Sequence, residues 1–77
     1  MSEGIVSWFN LRKGYGFIVE NIEKKDLFVH FTDIKEHKKL TEGDKVIFDI
    51  ANGEKGKKAI NVDLVTKEED VKIQNTL

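Results

Sequence analysis

The sequence predicts an all-β fold, a five-stranded antiparallel barrel, on three observations. Apolar residues alternate with polar ones over short stretches, turn signals separate those stretches, and no segment before the C-terminal tail keeps a helical period. Five strands left as an open sheet would expose two edges and an unfilled face, and closing the sheet removes both problems.

The first strand is expected over about Glu3 to Asn10, with a turn at Leu11-Arg12, and the second over about Gly14 to Asn21. A loop, Ile22 to Lys25, leads to a third strand over about Asp26 to Phe31. Thr32-Asp33-Ile34 reads as a single helical turn with Thr32 as its cap. A charged connection, Lys35 to Lys39, and a turn at Thr41 to Asp44 follow. The fourth strand, about Lys45 to Ala51, alternates cleanly, with Val46, Phe48 and Ile50 on one face. Asn52-Gly53 is a strong hairpin signal. The fifth strand, about Lys58 to Val65, turns Ile60, Val62 and Leu64 inward. With Val6, Ile18, Leu27, Val29 and Ile34 these residues make the expected core.

Seventy-seven residues allow one small domain, near the lower limit for an independent core. There is no cysteine, so neither a disulfide nor a thiolate metal site can staple it. No apolar run approaches the length of a membrane helix, and Met1-Ser2-Glu3-Gly4 lacks the build of a signal peptide, which makes the cytoplasm the default address. Formal net charge is −1, and up to Thr66 the chain carries 11 basic and 11 acidic residues. A polycation that coats nucleic acid by charge alone is therefore excluded. The domain is expected over residues 1–66. Residues 67–77 turn charged and polar, with a capping-box spacing from Thr66 to Glu69, and are too few for a stable isolated helix, so they read as a flexible tail.

The aromatic residues point to function. Side chains alternate between faces along a strand, so Tyr15 and Phe17 share one face, and Phe28 and His30 share one on the next strand. Ile18, Leu27 and Val29 fill the opposite parity, which leaves the outer face for the rings. Rings displayed outward beside Lys13 suggest a platform for unstacked bases. Gly14 and Gly16 flank Tyr15, a spacing that would admit a nucleic-acid backbone or base, or else permit strand twist or a bulge. Phe31 directly follows His30 and is expected to turn outward where its strand ends. Parity alone cannot place both Trp8 and Phe9; the reading favoured is Trp8 outward and Phe9 at the margin.

Trp8-Phe9-Asn10, Lys13-Gly14-Tyr15-Gly16-Phe17-Ile18 and Asp26-Leu27-Phe28-Val29-His30-Phe31, followed by Leu40 to Gly43 and Ala59 to Val62, together resemble a bacterial-type cold-shock domain over about residues 4 to 65. The resemblance implies an OB-type barrel that binds single-stranded RNA and DNA, favours pyrimidine-rich stretches and acts as an RNA chaperone, with effects on transcription or translation. The residues themselves suggest no enzymatic activity, cofactor, metal or membrane partner, and nothing in them demands more than a monomer. Carried onto this chain, the resemblance makes Trp8, Phe17, Phe28, His30 and Phe31 base-stacking residues, with Phe9 and Tyr15 contributing. Asn10, Lys13 and Asp26 would make polar contacts. The chain departs from the family pattern in three places. Ser7 replaces a lysine, and the connection after Ile34 is shorter and lacks the family's aromatic, leaving His37 as the only substitute there. Lys57 stands where proline is common and, with Lys55 and Lys58, adds positive charge.

Lys13 to Ile18 is also similar to the longer aromatic signature of the RNA-recognition motif, but strand order and the lack of long helices exclude that fold. A catalytic role for His30 beside Asp26, Thr32 and Asp33, or a metal pair of His30 with His37, lacks the supporting phosphate cradle, carboxylate pair or ligand spacing. The remaining alternative is a barrel whose aromatic face docks a protein.

Overall fold

The computed structural model describes residues 1–54 and 56–65. The strands are β1 (Ser2–Asn10), β2 (Tyr15–Glu20), β3 (Asp26–His30), β4 (Lys45–Gly53) and β5 (Gly56–Leu64), with 3-10 turns at Phe31–Asp33 and Lys35–His37. They close into a barrel in the order β1-β2-β3-β5-β4. Strand directions cannot alternate all the way around a ring of five, so one seam must be parallel. That seam is β3 with β5, through Phe28 opposite Lys58, and the Ile34–Val62 bridge continues it. The other four seams are antiparallel. Among the described residues no helix is long and apolar enough to cross a membrane. The tail expected at 67–77 lies outside the described residues.

The core consists of Val6, Ile18, Leu27, Val29, Ile34, Leu40, Val46, Phe48, Ala59 and Val62. Three expected core members depart from this set. The β4–β5 register shifts between Ile47 and Asp49, so Asn61 and Val62 together oppose Phe48, with Asn61 at a left-handed φ of 52°. This bulge reverses the side-chain alternation: Ala59 and Val62 point inward, and Ile60 is only half-buried. Leu64 is also half-buried, packed against the core from its margin. Ile50 keeps the inward parity of Val46 and Phe48 but is 43% exposed, because it sits at the barrel's rim beside Ile22 and Leu27. Leu40, which lies between the charged connection and the turn at Thr41 and is not among the expected core residues, is fully buried.

Two turns also differ from expectation. The β4–β5 ladder runs through Asn52 to the pair Gly53–Gly56, so the hairpin turns beyond the Asn52-Gly53 dipeptide. The helical turn after β3 starts at Phe31, and its cap is His30 instead of Thr32: the Thr32 N–H donates to His30 Nδ1 at 3.3 Å.

Candidate nucleic-acid interface

A bulge in β1 settles the Trp8–Phe9 ambiguity. Val6 pairs with Ile18 and Trp8 with Phe17, which leaves Ser7 as an extra residue between them. Without it Val6 and Trp8 would share a face. With it Val6 is buried, Trp8 is 42% exposed, and Phe9 lies half-buried against the core opposite Gly16.

On the outer face Trp8, Tyr15, Phe17 and Phe28 form one cluster. Ring centroids are 5.5 Å apart for Trp8 and Phe17, 5.9 Å for Trp8 and Tyr15, 5.7 Å for Tyr15 and Phe28, and 5.9 Å for Phe17 and Phe28. The antiparallel β2–β3 register produces this, setting Phe17 opposite Phe28 and Tyr15 opposite His30. Tilted and edge-on pairs at these distances brace one another. A second cluster centres on Phe31, whose ring is 4.9 Å from His30 and 5.6 Å from His37. Phe28 and Phe31 are 36% and 43% exposed, so each cluster presents an aromatic ring to solvent.

The polar candidates surround these rings. Asn10 Oδ1 accepts the Lys13 N–H at 2.9 Å and the Gly14 N–H donates to the Asn10 carbonyl at 2.7 Å, so Asn10 shapes the turn that presents the exposed Lys13. At the opposite end an open groove is bordered by Phe17, Phe28, Asp26, Asn52, Lys57 and Lys58. Lys58 was absent from the residues expected in the site. Its place there follows from the parallel seam, which no local pattern announces. His30 Nδ1 lies 2.9 Å from Thr32 Oγ1, so that nitrogen is engaged within its own turn. Among the described residues no group of three or more His, Cys, Asp and Glu side chains could hold a metal ion.

The two glycines beside Tyr15 do not open the surface to a ligand. Both are buried. Gly14 has a φ of +78°, a left-handed conformation that glycine adopts without strain, and a Cβ there would lie 2.9 Å from Cδ1 of Phe31. Its carbonyl accepts the Phe31 N–H at 2.9 Å. A Cβ on Gly16 would collide with the Trp8 carbonyl oxygen and lie 2.7 Å from the Phe9 Cα. The space these glycines leave is filled by the protein's own rings and backbone.

The sequence of residues 2–65 matches the model of the cold-shock DNA-binding domain. The chain is 50% identical over 62 residues to the cold shock-like protein CspE of Escherichia coli, covering 78% of this chain and 90% of that protein. It is 44% identical over 79 residues to Y-box-binding protein 1 of Xenopus laevis, and there it covers 95% of this chain but spans only 25% of the relative. A solved Drosophila structure, Unr CSD456, superposes with a TM-score of 0.70 at 23% identity, over 84% of this chain and 26% of that one, a likeness of fold.

Proposed function

This chain belongs to the cold-shock domain family, and on that premise we propose that it binds single-stranded RNA and DNA by stacking unpaired bases on its outer aromatic face. The observation that carries this reading is the pair of ring clusters on β1, β2, β3 and the turn at Phe31, with Trp8, Phe28 and Phe31 exposed and Tyr15, Phe17 and His30 half-buried, built from side chains that the core does not use. Trp8, Phe17, Phe28, His30 and Phe31 stack on bases, and Tyr15 completes the surface. Phe9 contributes from beneath by holding β1 in place. Asn10, Lys13, Asp26 and Lys57 make polar contacts at the two ends. The binding unit is residues 1–66 acting as a monomer.

Stacking favours any exposed base and a phosphate is neutralised only where a lysine stands close, so affinity rests on the rings more than on charge. A strand spread over rings cannot pair with itself, which is the physical basis of an RNA-chaperone role and of an influence on transcription or translation. The preference for pyrimidine-rich stretches follows the family. The test is affinity for single-stranded and duplex oligonucleotides of equal length and sequence. Binding confined to the single strands is expected, since a duplex hides its base faces. Equal affinity for both forms would overturn the proposal.

A further inference from the structure

Lys58 reaches the aromatic face by way of the parallel seam, which sets its Cα opposite that of Phe28. Its stem passes Gly53, where a Cβ would lie 3.4 Å from the Lys58 Cδ. The ammonium is not free: Nζ lies 3.8 Å from Asp33 Oδ2, with the two side chains 37% and 25% exposed. Asp33 belongs to the turn that begins with Phe31, so the pair links β5 to the segment bearing the second ring cluster.

We propose that Lys58 is a phosphate-contacting residue of the interface and that Asp33 restrains it, lowering the affinity for nucleic acid and flattening its dependence on salt. This rests on the single-strand reading above. A strand with bases on Phe28 and Phe31 carries its linking phosphates along the edge that the Lys58 side chain already spans to reach Asp33. An ion pair 3.8 Å long and partly open to solvent is weak and screened, so a phosphate can displace the carboxylate. The exchange has a cost, however. Lys58 gives up one anion to gain another, and Asp33 is left unpaired beside a phosphodiester of like charge. A lysine with no carboxylate partner would instead release a condensed counterion and gain the full attraction.

The test is a cycle of Asp33→Asn, Lys58→Ala and the double variant, titrated with a single-stranded oligonucleotide across a range of salt, with thermal melts of each. Asp33→Asn is expected to tighten binding by about two- to fivefold at low salt, the range of a partly exposed ion pair. It should also steepen the log-log salt slope by up to about 0.7, one phosphate's worth on a single strand. In the Lys58→Ala background the same substitution should change affinity by less than about twofold. Asp33→Ser repeats the measurement with a second residue suited to the turn. Unchanged affinity in both Asp33 variants overturns the inference, as does equal tightening with and without Lys58, which would make Asp33 a general repulsive charge. If the parent fails to bind single strands at all, the proposed function falls; if the parent binds and the Asp33 variants match it, only the restraint falls.

Discussion

Replacing Gly16 with alanine tests whether the outer rings depend on a close approach of strands behind them. A Cβ at this position meets the Trp8 carbonyl oxygen and comes within 2.7 Å of the Phe9 Cα and 2.8 Å of the Phe9 Cδ2. Two of these three atoms are backbone, which cannot swing aside as a side chain does, so β1 must lift from β2 where it carries Trp8. Overpacking a tight interior costs about 1–3 kcal/mol, and the backbone contacts put Gly16→Ala in the upper part of that range, at about 2–3 kcal/mol. For a domain of this size each kcal/mol lowers the melting temperature by about 4–8 °C, so a fall of roughly 10–20 °C is expected in a circular-dichroism melt. Trp8 sits 5.5 Å from Phe17 and rides on the displaced segment, so oligonucleotide affinity should fall several-fold although the new methyl faces inward. A melting temperature that stays the same or rises would refute the assignment of Gly16 to strand packing.

Two further substitutions test how the turns are held. Asn10→Ala removes the acceptor of the Lys13 N–H and should cost about 1 kcal/mol, or roughly 4–8 °C in the same melt, whereas Asn10→Asp keeps the acceptor and most of the stability. Glu20 Oε1 accepts the Glu23 N–H at 2.6 Å and the Ile22 N–H at 3.0 Å. The Glu23 amide above all, then that of Ile22 and the charge of Lys24, hold the Glu20 carboxyl below its ordinary range against an opposing desolvation effect. A carboxyl depressed by folding stabilises the native state above its unfolded pKa, and that contribution disappears as pH falls through the folded value. Glu20→Ala should therefore lose less stability than the parent in acid melts below about pH 4.3, the ordinary glutamate value. Parallel pH profiles would contradict this.

The ring face was legible because Ile18, Leu27 and Val29 claim the interior parity of β2 and β3 so fully that the rings on the other parity had one place to go. Parity failed where strands skip a residue. Ser7 and Asn61 mark bulges, so parity alone could not divide Trp8 from Phe9, although the favoured reading of Trp8 outward and Phe9 at the margin matches their places, and it set Ile60 inward in place of Ala59. Ala59 carries too little apolar surface to register beside isoleucine, and Leu40 is hidden among charged neighbours although it is buried. Gly14 and Gly16 looked like openings for a ligand because their neighbours in sequence are rings. Their neighbours in space, Phe31 and the Trp8–Phe9 backbone, come from other segments. Lys58 joined the site through the parallel seam that an odd number of strands imposes, a constraint of closure that no local pattern carries.

Phe28→Ala tests most directly whether the outward rings hold unpaired bases. Phe28 is exposed, with its ring centroid 5.9 and 5.7 Å from those of Phe17 and Tyr15, so its removal leaves the core closed and the sole tryptophan, Trp8, usable as a fluorescent reporter. One base-on-ring contact contributes about 1–3 kcal/mol, which corresponds to roughly a 5- to 150-fold change in affinity. The expected result is binding to a single-stranded oligonucleotide weakened at least about tenfold within that range, with little change in the melt and the same behaviour for Phe17→Ala. Parental affinity in both variants would contradict the account.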